Sequence, residues 1–185
     1  MLQAGDVQVE QYDNYVKQTF RNRCIITGPN GMQTLTIPVE KPAQHKCLMK
    51  DLRISDHGNW RHLHWNALES NYGKSPFFEF YADDLRPFYT EHKWEFLIDY
   101  NEALTEKMLE LLNIDTDIKI SRTQSYANAD LHRWAEPSAI LSLPSVPYYQ
   151  VFAARHGFLP HLSIADLLFN MGPEAVIVLG KNCEL

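Results

Sequence analysis

Polar and apolar residues alternate in several short stretches of this chain and recur at helical spacing in others. Val7-Gln8-Val9-Glu10 alternates as a short strand. Residues 20–27 and 32–39 flank Gly28-Pro29-Asn30-Gly31, a turn sequence that predicts a β-hairpin. Pairing Thr27 with Met32 sets Cys24 opposite Leu35, Asn22 opposite Ile37 and Phe20 opposite Val39. One hairpin face is then apolar apart from Asn22, and the other carries Lys17, Arg21, Arg23 and Thr36 at period two. Pro38 ends the second strand or marks an edge.

Beyond the hairpin, residues 48–54 suggest a strand in an otherwise irregular polar region. A helix is predicted over residues 60–72, capped by Gly58 or Asn59 and stopped by Gly73-Lys74-Ser75-Pro76. The aromatic run 76–81 reads as a short helix or a plug of rings. Leu104, Met108, Leu111 and Leu112 form the apolar stripe of a helix over 99–112, and residues 114–120 alternate as a strand. Residues 122–147, polar and interrupted by prolines, read as a long loop, a length that marks either function or a mistaken assignment. Ser163-Ile164-Ala165-Asp166 has the form of a capping box opening a helix to about Asn170. Gly172-Pro173 breaks it before a last helix over 174–179. The expected architecture is a single α+β domain around the 20–39 hairpin, with a mixed α/β sheet as the alternative.

Length and composition fit that picture: 185 residues, 45% hydrophobic and 22% charged, suit one soluble domain with a sizeable core. A net charge of −6 argues against nucleic acid as a partner but leaves room for a small anion in a local basic site. No stretch reaches the roughly 18 apolar residues of a membrane span, and no signal-peptide pattern opens the chain. Three cysteines form no paired framework, so the expected location is the cytoplasm.

The leading candidate chemistry is the basic face. Lys17, Arg21 and Arg23 could clamp a phosphate or carboxylate, arginine by its bidentate fork; the alternative is a solvated sheet face with ion pairs to Glu10 or Asp13. Asn22, on the apolar face, needs partners and is expected to bond a loop backbone. Cys24 points toward the core and is read as packing. His62 and His64 on a helix diverge by about 200°, so they cannot share an ion, and no metal is assigned. Either could act as a general base, His62 with Asn66 or His64 with Trp60 forming a polar cleft face, or could be structural. Asp166 and Asn170, four residues apart, share a helix face and could reach one ligand; a cap would explain Ser163 and Asp166 but not Asn170. Dinucleotide, P-loop, nucleophile-elbow and zinc-protease signatures are absent, and the sequence names no cofactor.

Residues Tyr15-Val16-Lys17-Gln18-Thr19-Phe20-Arg21-Asn22-Arg23, Leu35-Thr36-Ile37-Pro38-Val39, Trp60-Arg61-His62-Leu63-His64, Tyr72 with Ser75-Pro76-Phe77-Phe78, and Leu162-Ser163-Ile164-Ala165-Asp166-Leu167-Leu168-Phe169-Asn170 together resemble the WbqC-like family. The resemblance covers most of the chain in order. It implies a bacterial protein of surface-polysaccharide (O-antigen type) synthesis, working in the cytoplasm on activated sugars, with an aminoacyl-transferase role suggested for the family. Members open with an apolar strand and a Pro-Tyr-Phe type segment, which this chain is expected to lack. By the same resemblance Lys17, Arg21, Asn22 and Arg23 match the family's Arg-Asn-Arg motif and its approach, His64 its helix histidine, and Asp166 and Asn170 its C-terminal polar positions.

Two functions are therefore carried forward. In the first, a transferase moves an acyl or aminoacyl group onto an activated sugar: the cations hold the anionic substrate, His64 or His62 takes the acceptor proton, Asp166 orients the base, and Asn22 or Asn170 stabilises an oxyanion. In the second, a binding protein uses the same cations with Trp60, Trp65 and Tyr72 as stacking faces and needs no base. An assembly subunit with an exposed aromatic surface is a third, plainer possibility.

Overall fold

The computed structural model describes residues 6–41, 47–114, 119–123 and 137–183. In chain order its elements are β1 (Asp6–Glu10), β2 (Arg23–Gly28), β3 (Gly31–Thr36), α1 (Trp60–Tyr72), α2 (Phe78–Leu85), α3 (Pro87–Thr90) and α4 (Leu97–Leu111). After these come β4 (Lys119–Thr123), α5 (Pro137–Leu141), α6 (Ala153–His156), α7 (Ile164–Met171) and α8 (Ala175–Cys183). The fold is α+β. Among the described residues the strands form two pairs, β2 antiparallel to β3 and β1 parallel to β4.

The hairpin has the predicted register, with Thr27 opposite Met32 and Cys24 opposite Leu35. Gly28 and Gly31 close it around Pro29-Asn30, and Gly31 has φ +101, a conformation that L side chains rarely adopt. The strands are shorter than predicted. Residues 17–22 are turns and bends rather than strand: Gln18 has φ +64 and the Thr19 hydroxyl donates to Val16 O at 2.8 Å. Asn22 still pairs with Ile37, through Ile37 N–H to Asn22 O at 2.8 Å. Phe20 does not reach Val39, which bridges Ile54 instead. Residues 48–54 also differ from the expected strand, forming a tight turn (Met49–Asp51) between isolated bridges to Asn14 and Phe96.

Helix α1 occupies its predicted residues and lies along one face of the hairpin. His64 bonds the Thr36 backbone at the open end. At the turn end the Asn71 side chain donates to Gln33 Oε1 at 3.0 Å and lies against Gly28. Helix α1 therefore runs antiparallel to β3 on the Cys24–Ile26–Gly28 face, since alternate strand residues share a face. The outer edge of β2 is also occupied: Thr27 N–H donates to the Tyr72 hydroxyl at 2.9 Å, and Ser163 N–H to Ile25 O at 2.7 Å.

Two apolar clusters form the core. The larger gathers Ile26, Leu35, Trp65, Leu68, Tyr72, Phe78, Leu112 and Phe169, among others, between hairpin, α1, α2, α4, α7 and α8. The smaller holds Ile37, Leu52, Ile54, Trp60, Phe88, Leu97 and Tyr100. The Phe88 and Trp94 rings stack beside it at 4.7 Å. No helix among the described residues is long and apolar enough to cross a membrane.

Candidate functional site

The basic corner begins with Tyr15. Burial raises its phenol pKa, and the positive charges of Arg23 and Arg21 oppose that rise, so both guanidinium groups lie within electrostatic reach of this ring. Arg21 Nη2 pairs with Asp13 Oδ2 at 2.5 Å, and its backbone oxygen accepts from Asn101 Nδ2 at 2.9 Å. Arg23 Nε is buried without a hydrogen-bond partner among the described residues. Asn22 is 5% exposed and donates from Nδ2 to Ile37 O at 2.8 Å, the loop-backbone bond the sequence suggests; its Oδ1 has no partner among the described residues. Lys17 is exposed in the preceding turn, away from any strand face.

His62 and His64 diverge around α1 as their spacing dictates. His62 is exposed, its Nε2 2.9 Å from Asn66 Nδ2. His64 is 8% exposed, with its ring 5.0 Å from Trp60 and 6.3 Å from Tyr89. Burial lowers its pKa to about 4, against a smaller raising effect of its bond to the Thr36 backbone, so the ring is neutral near pH 7. Trp60, Trp65 and Tyr72, expected as stacking faces in the binding-protein reading, are buried in the core and present no free face.

Asp166 heads a separate constellation. It is 0% exposed and has four side-chain hydrogen-bond donors. Its Oδ2 accepts from the Tyr72 hydroxyl at 2.6 Å and the Thr27 hydroxyl at 2.9 Å. Its Oδ1 accepts from the Tyr148 hydroxyl at 2.8 Å and Asn170 Nδ2 at 3.2 Å. Burial, then the negative charge of Asp166, raises both tyrosine pKa values far above the usual phenol range. Asn170 uses its remaining oxygen to accept Val151 N–H at 3.0 Å. Ser163 caps α7 as predicted, its hydroxyl accepting Ala165 N–H, while the Asp166 carboxylate turns inward.

The candidate residues thus fall into three places. Arg21 and Arg23 share the Tyr15 corner, and alternation sets the Arg23 side chain on the hairpin face opposite α1 and His64. Asp166 and Asn170 are joined to each other and meet the hairpin at Thr27, four residues or about 13 Å along β2 from Arg23. Among the described residues, no group of three or more His, Cys, Asp or Glu could hold a metal ion.

Sequence reasoning missed Arg61, Thr27 and Tyr148. Arg61 is 6% exposed; its guanidinium lies 4.6 Å from the Trp60 ring centre and pairs with Asp56. The signal was available, since Arg61, Trp65, Leu68 and Tyr72 recur at helical spacing on the buried side of α1.

Comparison with known proteins agrees with the resemblance. The WbqC-like protein family matches residues 2–143, which include the basic corner and α1 but end before α7. Uncharacterized protein Rv1507c of Mycobacterium tuberculosis is 30% identical over 194 residues, covering 89% of this chain and 84% of that protein. No solved structure matches. The family match covers well over half of the chain, including the hairpin and α1 through α4, and so the chain belongs to the WbqC-like protein family.

Proposed function

We propose that this protein binds an activated, phosphate-bearing sugar at the Tyr15–Arg21–Arg23 corner. It serves bacterial surface-polysaccharide synthesis of the O-antigen type as a cytoplasmic transferase of acyl or aminoacyl groups. The observation carrying this reading is Arg23. A buried guanidinium N–H without an acceptor is costly, and a ligand oxygen is the natural partner for such a donor. Lys17 adds charge at the rim and Arg21 orders the corner through Asp13. His64, neutral near pH 7, is the proton acceptor of this proposal, and Asp166 with Asn170 acts apart from it, tying α7 to the hairpin at Thr27.

A second reading, a sugar-nucleotide binding protein without turnover, is favoured by one observation: His64 and Arg23 lie on opposite faces of the hairpin. One set of measurements separates the two. A panel of nucleoside-diphosphate sugars is screened by thermal shift, and the tightest is titrated calorimetrically against wild type, Arg23→Gln and His64→Gln. Both readings require Arg23→Gln to weaken binding about tenfold or more, the order of one lost charge-assisted bond. Only the transferase reading requires His64→Gln to abolish group transfer while binding persists. Unchanged affinity in Arg23→Gln sinks both.

A further inference from the structure

Cross-strand pairing fixes which side chains stand beside Arg23. Ile37 N–H donates to Asn22 O at 2.8 Å, so these two form a hydrogen-bonded pair and the next, Arg23 with Thr36, a non-hydrogen-bonded one. In such a pair the Cα atoms lie about 4.5 Å apart, and the two side chains stand side by side on one face. Two residues on, Ile25 and Thr34 repeat the arrangement, and Thr27 with Met32 ends it at the turn. The hairpin face turned away from α1 therefore carries two rows: Arg23, Ile25 and Thr27 on β2, and Thr36, Thr34 and Met32 on β3. The rows differ in exposure. Arg23 and Ile25 are half-buried and Thr27 is buried, whereas Thr36, Thr34 and Met32 are all exposed. The residue before α7 borders the β2 row, through Ser163 N–H to Ile25 O at 2.7 Å. The face is thus recessed along β2 and open along β3.

Charge is confined to one end of this face. From Cys24 to Val39 the sequence holds no charged residue, so beyond Arg23 the open row offers two threonine hydroxyls and a methionine. A ligand matched to that order has one anionic end and an uncharged, hydroxyl-bearing body. We propose that Thr36 shares the ligand phosphate with Arg23, and that Thr34 takes a hydroxyl of the adjoining sugar, whose apolar ring face rests on Ile25. Thr34 lies about 7 Å along the strand from Thr36, roughly the reach from a phosphate across the sugar that carries it. The ligand class is then a hexose 1-phosphate, free or as the sugar end of a larger donor, lying along β3 with its sugar toward the turn. This inference rests on the reading of Arg23 as an anion site and adds to it the two residues that select the ligand. Strand preference alone accounts for threonine at both positions, but it makes valine an equal replacement; hydrogen bonding to a ligand does not.

The test uses the full chain labelled with nitrogen-15, following the assigned backbone amides of Thr34 and Thr36. Glucose 1-phosphate, inorganic phosphate and glucose are titrated separately. Glucose 1-phosphate is expected to move both amides saturably, inorganic phosphate only that of Thr36, and glucose neither. Thr36→Val should weaken both phosphate ligands about tenfold, the order of one charge-assisted bond. Thr34→Val should weaken glucose 1-phosphate at least fivefold and leave inorganic phosphate unchanged. Both variants keep a β-branched side chain at an exposed strand position, and an unchanged far-ultraviolet dichroism spectrum checks that they fold. If Arg23→Gln weakens binding while both valine variants bind as wild type does, the threonine contacts are overturned and the Arg23 corner stands. If only Thr34→Val is silent, the course of the sugar along β3 is overturned. If neither phosphate ligand moves either amide, the whole seat is overturned, and the corner is judged separately by whether nucleotide-sugar binding depends on Arg23.

Discussion

At the scale of single residues, Asp166 and His64 show two ways of burying an ionisable group. Asp166 is surrounded by donors from β2, α1, α7 and the segment at Tyr148, so removing its carboxylate leaves several hydroxyls and an amide without an acceptor. Asp166→Ala should cost about 3 kcal/mol or more. For a chain this long that corresponds to a melting temperature roughly 6–12 °C lower by calorimetry; a drop of a degree or two would deny the network its structural weight. His64 behaves oppositely, being held neutral. Its folded pKa of about 4 lies below the unfolded 6.5, so as pH falls through 6.5 the unfolded chain takes up a proton that the folded chain refuses. The stability held above pH 6.5 is then lost progressively down to about pH 4, at a limiting rate of about 1.4 kcal/mol per pH unit. Urea denaturation at several pH values should show this slope in wild type and a shallower one in His64→Gln; parallel curves would place the proton elsewhere.

At the scale of elements, what could be read locally was read well. The hairpin register follows from two runs flanking a Gly-Pro-Asn-Gly turn, and α1 from its apolar spacing and the Gly-Lys-Ser-Pro stop. The miss at residues 17–22 has a definite cause. Period-two alternation favours a strand but does not forbid a turn, and a local bond from Thr19 to Val16 O competes with the ladder. The Asp166 network was illegible for a different reason. Thr27 and Asp166 lie 139 residues apart, and nothing in one sequence pairs them. Arg61 was legible as a helix-face position but not as a buried cation. The hairpin turn is constrained by its backbone conformation alone: Gly31→Ala places a side chain at φ +101 and should destabilise by about 1 kcal/mol in urea. A neutral result would mean that the turn relaxes to another type.

At the scale of the whole molecule, the two apolar clusters are not independent bodies. Helix α1 contributes Trp60 to one and Trp65, Leu68 and Tyr72 to the other, while Tyr89 and Leu104 pack against both. Breaking one cluster therefore strips contacts from the other, and unfolding should be a single cooperative transition. Tryptophan fluorescence of Trp65→Phe/Trp134→Phe, which retains Trp60 and Trp94 as reporters of the smaller cluster, and of Trp60→Phe/Trp94→Phe/Trp134→Phe, which retains Trp65 in the larger, should each coincide with that variant's own far-ultraviolet dichroism transition. Separated midpoints would divide the protein into two folding units. The clamping of β2 by Tyr72 and Ser163 has one more consequence. A bare strand margin is a template on which a second copy can add and begin a fibril; here side-chain and loop groups already take up its free amide and carbonyl. Changes that loosen the start of α7 should therefore reveal themselves first as self-association during refolding.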